Sequence, residues 1–358
     1  MRDLLHLLVF RVAIICMLVC ASCTKLPPAE VEFVMGTVCR VNFFEEGSKE
    51  VYQKIFKRLR EIDHIFSAND EKSIMADVNK NAGIKAVEVP QEFIYVLQAA
   101  LEIAELSGGA FDPTVGPLVK LWNITSFENN NDIEHKVPSD SEIDEALKLI
   151  DYHDVEVDIQ AQTVFLTHEG MRLDLGGIVK GYAADEIVRI AAQENGIKSA
   201  VIDLGGNIYV YGEKLRRGKN SGSKNAGEKW KVGVQDPAKS RGHYLGYVET
   251  AGGTLVSSGI YERFFELDGK RYHHILSTVD GRPIDNGIAS CTIINEGDTS
   301  LSMTADALST TVFALGFEDG TKLLQTMTDK YKYKLSAIFI MIDGSTKFFG
   351  NAELKGTS

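Results

Sequence analysis

The stretch Asp174-Leu175-Gly176-Gly177-Ile178-Val179-Lys180-Gly181-Tyr182-Ala183-Ala184-Asp185 brings the acidic end of an extended segment, three glycines, a lysine and a helix start into twelve residues. Glycines at 176, 177 and 181 let backbone come close to a bulky anion, and the helix that follows offers unpaired N–H groups and the positive end of its dipole. Such a turn can hold a phosphorylated ligand. A Gly-Gly turn is equally common as a plain connection, so the surrounding chain has to decide.

Working outward, Val31 to Phe44 alternates as a strand does, and Ser48 to Phe66 carries Val51, Ile55, Leu59 and Ile62 at helical spacing. A second helix is expected over Gln91 to Leu106, ending at Ser107-Gly108-Gly109, and a third over Ser141 to Leu149. Between these two, Phe127 to Ser139 is rich in Asn, Asp and Glu and reads as solvated loop. Val155 to Thr167 reads as a hairpin, Met171 to Leu175 as a strand into the Gly-rich turn, Tyr182 to Asn195 as a helix and Ser199 to Asp203 as a strand. Arg216-Arg217-Gly218-Lys219-Asn220-Ser221-Gly222-Ser223-Lys224 reads as the tip of a hairpin between strands. The last third is β-rich to Asn295, followed by helices over Thr304 to Leu315 and Lys322 to Thr328 and a hairpin over Ser336 to Phe349. Strands paired locally with helices between them predict an α+β architecture rather than a doubly wound sheet.

The chain of 358 residues has 44% hydrophobic and 25% charged residues, ordinary globular values. Its formal net charge of −12 argues against nucleic acid as a partner, because phosphate backbones are bound by basic faces. An anionic ligand is then held locally, by backbone amides, a few lysines and a divalent cation. The N-terminus has an apolar run from Leu4 to Cys20 with Arg2 and Arg11, closed by Ala21-Ser22-Cys23 and then Thr24-Lys25-Leu26-Pro27-Pro28, which reads as an export signal. Small residues before Cys23 suit a lipoprotein signal peptide of residues 1–22 with lipidation at Cys23 and the functional domain over 23–358; Cys20 and an uncleaved anchor also fit these residues. Only Cys39 and Cys291 remain in the body, so neither a disulfide framework nor a tetrahedral zinc set is expected, and both read as buried small hydrophobes.

Two further segments, Ala110-Phe111-Asp112-Pro113-Thr114-Val115-Gly116-Pro117-Leu118 and Met303-Thr304-Ala305-Asp306-Ala307-Leu308-Ser309-Thr310-Thr311, complete with the Gly-rich stretch a pattern that resembles the ApbE family of FAD:protein FMN transferases. Met35-Gly36-Thr37, Leu204-Gly205-Gly206-Asn207 and His274 followed by Gly281-Arg282-Pro283 extend the resemblance over essentially everything after the export signal. The resemblance implies an ApbE-like, T-fold-like architecture of two intimately joined α/β subdomains with the flavin nucleotide between them. It implies FAD as substrate, Mg2+ as cofactor, and a flavin-acceptor protein with a Thr-containing motif, in a redox or ion-pumping complex, as partner. It also implies an address on the periplasmic side of the bacterial inner membrane, through a lipid anchor.

Moving FMN from FAD to a hydroxyl cleaves the pyrophosphate, which requires neutralised phosphates, positioning and a route for the acceptor proton. Asp306 and Thr310 are spaced i and i+4, so a helix presents a carboxylate and a hydroxyl on one face, a half-site for magnesium. By themselves these residues read equally as a helix charge and a packed threonine. The resemblance adds the backbone carbonyl of Ala184 as a further metal ligand and sets Ser309 where some members carry another acidic ligand. It also assigns FAD contacts to Met35, Asp77, Ala110, Phe111, Asp112, Asp174, Lys180 and Ile275. His274 is the expected base for the acceptor proton, since histidine titrates near neutrality. Its loop, Ser277-Thr278-Val279-Asp280-Gly281, departs from the Asp-Pro-x-Thr-Gly of many members. His273 is expected on the opposite, solvated side of the strand. Asp77, in place of a large aromatic, would leave the pyrophosphate open to water. Three readings therefore stand: FMN transferase, FAD pyrophosphatase, and a non-catalytic FAD-binding lipoprotein indifferent to loss of Asp306.

Overall fold

The computed structural model describes residues 29–44, 49–124, 136–194, 197–212, 214, 229–296 and 302–356. The apolar N-terminal run, Cys20, Cys23, the acidic stretch 127–135 and the basic stretch 216–224 lie outside them.

The centre is an eight-stranded sheet in which every neighbouring pair is antiparallel. In spatial order its strands are β1 (Glu30–Val34), β2 (Thr37–Phe43), β6 (Ser199–Leu204), β7 (Asn207–Gly212), β10 (Gly253–Gly259), β13 (Ile288–Asn295), β14 (Leu335–Met341) and β15 (Thr346–Phe349). Successive side chains of a strand point to opposite faces, and both faces of this sheet are covered in its middle. Cys291, Ile293, Ala337 and Phe339 join the main core under the helices, while Ile294, Ile338 and Ile340 pack against Trp230, Val232, Val234 and Val248 of a hairpin, β8 (Trp230–Gln235) and β9 (Tyr244–Thr250). For that reason all eight residues of β13 are buried and its sequence lacks a polar alternation.

The segment expected as one strand over Val31 to Phe44 is instead two, turned at Met35 and Gly36, with φ of 56° and 66°. Positive φ at both central residues is the type I′ turn that matches the twist of a hairpin. Methionine is an uncommon occupant of that region, where a side chain costs about 1–2 kcal/mol. The Met35 N–H is held by the Asp63 carboxylate at 3.3 Å. The neighbouring turn between β6 and β7 lies against it so closely that a Cβ on Gly205 would sit 2.1 Å from the Thr37 hydroxyl.

On the helical side, α1 (Lys49–Phe66) buries the expected Val51, Ile55, Leu59 and Ile62. It is followed by the short α2 (Ile74–Lys80), which carries Asn79. Next comes α3 (Gln91–Ser107), which ends at Gly108 in the left-handed conformation. Beyond α4 (Gly116–Trp122), α5 (Asp140–Leu147) starts with a capping box in which Ser139 and Glu142 bond each other's backbone. These two helices pack with a hairpin, β11 (Phe264–Leu267) and β12 (Lys270–His273), around Trp122, whose indole N–H donates to Gly281 O at 2.7 Å. A small sheet of β3 (Val87–Glu88), β5 (Thr163–Leu166) and β4 (Val155–Asp158) feeds Val87, Val164 and Leu166 into the main core. The two longest elements at the site are α6 (Val179–Gln193) and α7 (Ser302–Tyr331). The latter joins both helices expected there across a break at Gly316, with φ 82° and ψ 177°. The outcome is the expected α+β class.

Met171 to Leu175 does not pair as a strand in any sheet. Its backbone is held by the side chain of Asn79, which donates Nδ2–H to Leu173 O at 3.1 Å and accepts Leu173 N–H at 2.6 Å. Two backbone bonds complete the support, Gly116 N–H to Arg172 O at 3.2 Å and Asp174 N–H to Pro113 O at 2.8 Å. One buried amide thus stands in for a neighbouring strand. Replacing it leaves two buried backbone groups without partners, so Asn79→Ala is expected to lower the unfolding free energy by about 2–4 kcal/mol, measured by urea denaturation.

Candidate active site

The Gly-rich turn ends where α6 meets the start of α7, and the two helices hold each other by their first turns. A Cβ on Gly181 would lie 2.2 Å from Ser302 O, so only glycine allows the approach. Asp185, in the second turn of α6, accepts the Ser302 and Met303 N–H groups at 2.8 and 2.9 Å and caps α7 from outside. In return Asp306, one turn into α7, accepts the Gly181 N–H at 2.9 Å. Each carboxylate meets the positive end of the other helix. Ser302 is further tied to Asn207 and Thr254 through its hydroxyl, each at 2.9 Å.

Asp306 is 3% exposed. Burial pushes its carboxyl above the usual range, against the pull of the Lys180 ammonium, the Gly181 N–H and the Asn207 amide. The Lys180 Nζ lies 3.7 Å from Asp306 Oδ1 and donates to Gly176 O at 2.9 Å. The Asn207 Nδ2 leans toward the same carboxylate without closing a hydrogen bond of good geometry. Asp185 is pushed up to about 7, by burial and by Glu186 and Asp306, although its two backbone donors oppose this.

Thr310 lies one turn beyond Asp306 on α7, as expected from the spacing. Its hydroxyl is 3.4 Å from the Ser258 hydroxyl, which is also 2.7 Å from that of Ser309. Ser309 itself donates to Asp306 O at 2.8 Å. The Gly-rich backbone that abuts Thr310 is Gly177, where a Cβ would be 3.4 Å from the Thr310 hydroxyl and 3.1 Å from the Phe111 ring. Ala184 is farther along, a fully buried residue inside α6. Asp174 turns its carboxylate back to accept Gly176 N–H at 2.8 Å.

Phe111 is buried beside Gly177, and Ala110 precedes it on the same loop. The Asp112 carboxylate is engaged locally, by Thr114 N–H and O–H at 2.7 and 2.6 Å and by Tyr152 N–H at 3.0 Å, so what its loop presents to a ligand is backbone. Thr278 donates to Gly109 O at 2.7 Å and ties this loop to the one after His274.

His274 keeps some contact with solvent, and its Nδ1 lies 3.2 Å from Arg263 O. That carbonyl assigns the proton to Nδ1 and leaves the Nε2 lone pair free. Burial, the Arg263 guanidinium, His273 and Lys180 push its pKa down to about 3. His273 is buried rather than solvated: its Nε2 is 2.9 Å from Ile284 O, its Nδ1 accepts Ile275 N–H at 3.3 Å, and its ring stands edge-on to Phe313. Strand alternation indicated opposite faces for the two histidines, but both sides of this segment are enclosed. Ile275 is buried in the main core. Met35 is not brought to this group: it packs against the main core with its N–H on Asp63, and it is Thr37 of the same turn that touches Gly205, while a Cβ on Gly206 would be 3.6 Å from Glu262 Oε1 and Glu262 feels the charges of Lys180 and Arg263. Asp77 faces solvent on α2, where its carboxylate accepts from Asn81 at 3.0 Å.

Asp174, Lys180, Gly177, Phe111, Asp306 and Thr310 thus form one group, with His274 in the field of Lys180. Asp185, Asn207 and Glu262 belong to it without having been singled out from sequence as site residues. Asp185 carried a signal, an acidic residue early in the helix that follows the Gly-rich turn; Asn207 is brought in by sheet pairing and Glu262 by the turn between β10 and β11.

This arrangement is that of a flavin-transferase fold. The ApbE family model matches residues 35–335, and the chain belongs to the ApbE family. It is 37% identical over 321 residues to the FAD:protein FMN transferase of Treponema pallidum, covering 87% of this chain and 84% of that one. With the enzyme of the same name from Klebsiella pneumoniae it shares 33% identity over 287 residues, 80% and 81% of the two chains. Among solved structures it is similar to the ApbE protein from Thermotoga maritima, with TM-score 0.75, 33% identity and coverage of 90% and 96%. Flavin transferase ApbE from Vibrio cholerae gives TM-score 0.72, 25% identity and coverage of 91% and 98%.

Two outcomes are expected. Asp185→Ala removes the cap shared by two backbone donors and lowers stability by about 1–2 kcal/mol in thermal or urea unfolding, while Asp185→Asn retains part of it. The second concerns pH. A histidine whose folded pKa lies below its unfolded value binds a proton more readily in the unfolded chain, so His274 and His273, both lowered, make stability fall as pH drops from about 6.5 toward 3. Imidazole nitrogen shifts recorded by NMR should keep His274 neutral down to pH 5.

Proposed function

We propose that the chain is an FAD:protein FMN transferase. The observation that carries this reading is the buried Asp306 carboxylate, gathered with Thr310 and Lys180 where the first turns of α6 and α7 meet, in a chain of the ApbE family. The hydroxyl oxygen of an acceptor, a threonine in our reading, attacks the FMN-side phosphorus; the bond from that phosphorus to the bridging oxygen breaks, and AMP leaves with it. His274 Nε2 takes the hydroxyl proton. Lys180 and the amides of the Gly-rich turn and helix starts hold the phosphates, and Phe111 packs on the rings.

The donor set fits magnesium. Asp306 Oδ1 faces an ammonium at 3.7 Å, Thr310 offers a hydroxyl one turn away, and the buried Asn207 Nδ2 leans toward the carboxylate without closing a hydrogen bond of good geometry. Asp306, Thr310 and a backbone carbonyl of the Gly-rich element, Ala184 by resemblance or Gly177 by position, would hold the ion. When bound, it supplies charge neutralisation to the pyrophosphate. Hydrolysis of FAD to FMN and AMP is the same chemistry with water as acceptor; the exposed position of Asp77 lends that variant no support.

We further propose export, lipidation at Cys23 and anchorage to the inner membrane facing the periplasm, where a redox or ion-pumping subunit with a Thr-containing motif is the acceptor. The Leu4 to Cys20 run and Ala21-Ser22-Cys23 support this reading. Among the described residues no helix is long and apolar enough to cross a membrane.

Incubation of the chain from Thr24 onward with FAD and magnesium, with and without a flavin-acceptor domain, tests the transfer. The acceptor should gain the mass of one FMN with stoichiometric AMP, and Asp306→Ala should reduce the rate by at least about 100-fold. FMN and AMP without acceptor labelling would make the protein a pyrophosphatase, and unchanged FAD a binding protein.

A further inference from the structure

We infer that Lys180 serves in turn as the counter-charge of Asp306 and as a phosphate ligand, and that arrival of the divalent cation switches it from the first to the second. The inference rests on the reading of Asp306 as a metal ligand and goes beyond it. Consecutive residues grip the two oxygens of this carboxylate: Gly181 N–H donates to Oδ2 at 2.9 Å, and Lys180 Nζ faces Oδ1 at 3.7 Å. The first grip is backbone and fixed by the close packing of Gly181 on Ser302. The second is the end of a flexible stem whose side chain remains 24% exposed. Oδ1 is therefore the oxygen a metal can take, and Lys180 is the group that must leave.

Electrostatics require the occupant to change rather than to be added. A carboxylate this buried, with Asp185 repelling it, needs a positive neighbour in the folded protein. An ammonium and a divalent ion on the same oxygen would repel each other at contact distance. The departing Nζ also releases Gly176 O, its hydrogen-bond acceptor at 2.9 Å in the same Gly-rich turn. Glu262 and His274 already lie within the field of Lys180, and the Glu262 carboxylate is a counter-charge the displaced ammonium can turn toward. Lys180 then lowers metal affinity in the absence of FAD and raises FAD affinity in the presence of metal. By linkage the two ligands strengthen each other's binding.

Calorimetric titration of Mg2+ into FAD-free protein tests this. Loss of binding in Asp306→Ala locates the site; Mg2+ binding that survives that change overturns both the metal reading and the exchange. With the site located, Lys180→Met should bind Mg2+ about tenfold more tightly than the wild type, the order expected for removing a partly buried competing ion pair, yet bind FAD more weakly. Lys180→Arg keeps the charge and should stay within about twofold of the wild type. Lys180→Gln replaces the Met variant if that one does not fold. Equal or weaker Mg2+ affinity in the uncharged variants overturns the exchange while leaving the Asp306 metal site standing.

Discussion

The reciprocal capping of α6 and α7 is the contact on which the site depends. Helix starts leave N–H groups unpaired, and two of them brought together would normally need water or a ligand between them. Here each helix supplies the acid that the other lacks, Asp185 to Ser302 and Met303, Asp306 to Gly181. Close approach at Gly181 makes the exchange possible, and the cost is two carboxylates near enough to repel. That repulsion gives the site its appetite for positive charge. Structure and chemistry are supplied by the same pair of residues.

A protein with net charge −12 is an unlikely host for a dianionic pyrophosphate unless its positive groups are focused. Lys180 and the first turn of α6 converge on Asp306, and Arg263 acts together with Lys180 on His274 and Glu262. The same focusing holds His274 neutral with Nε2 available, but also makes it a weak base in the ligand-free protein. Anionic substrate placed among these cations opposes their field and raises the basicity of the imidazole. On the proposed reading, bound substrate would itself strengthen His274 as the acceptor of the hydroxyl proton.

Elements governed by local rules were legible in the sequence. Helical spacing in α1, the glycine stop of α3 and the final hairpin needed only periodicity and turn chemistry. Motif spacing placed Asp306 and Thr310 on one helix face, and the family resemblance set that face beside the Gly-rich turn. What escaped local reading was set by distant partners. Met35 turns the chain where the alternating pattern ran straight through, because a non-glycine residue tolerates positive φ there. Met171 to Leu175 has strand composition, but an amide from α2 occupies the place of its neighbour. His273 is enclosed by Ile284 and Phe313, contributed by later segments. Asn207 joins the site through strand order and Glu262 through the turn that follows β10, neither of which a local window contains.

The interlock of the β1–β2 and β6–β7 turns, with Gly205 pressed on Thr37, also makes the molecule's tolerance of insertions one-sided. At this end of the sheet a single added residue would separate the two turns and break the close contact of Gly205 on Thr37. The same strands end, some six residues or about 20 Å away, at Phe43 and Gly212, where longer connections to Lys49 and Trp230 leave the sheet. Drift in chain length should therefore accumulate at the far end, leaving the rim that bears the two short turns constant in length while the opposite rim diversifies.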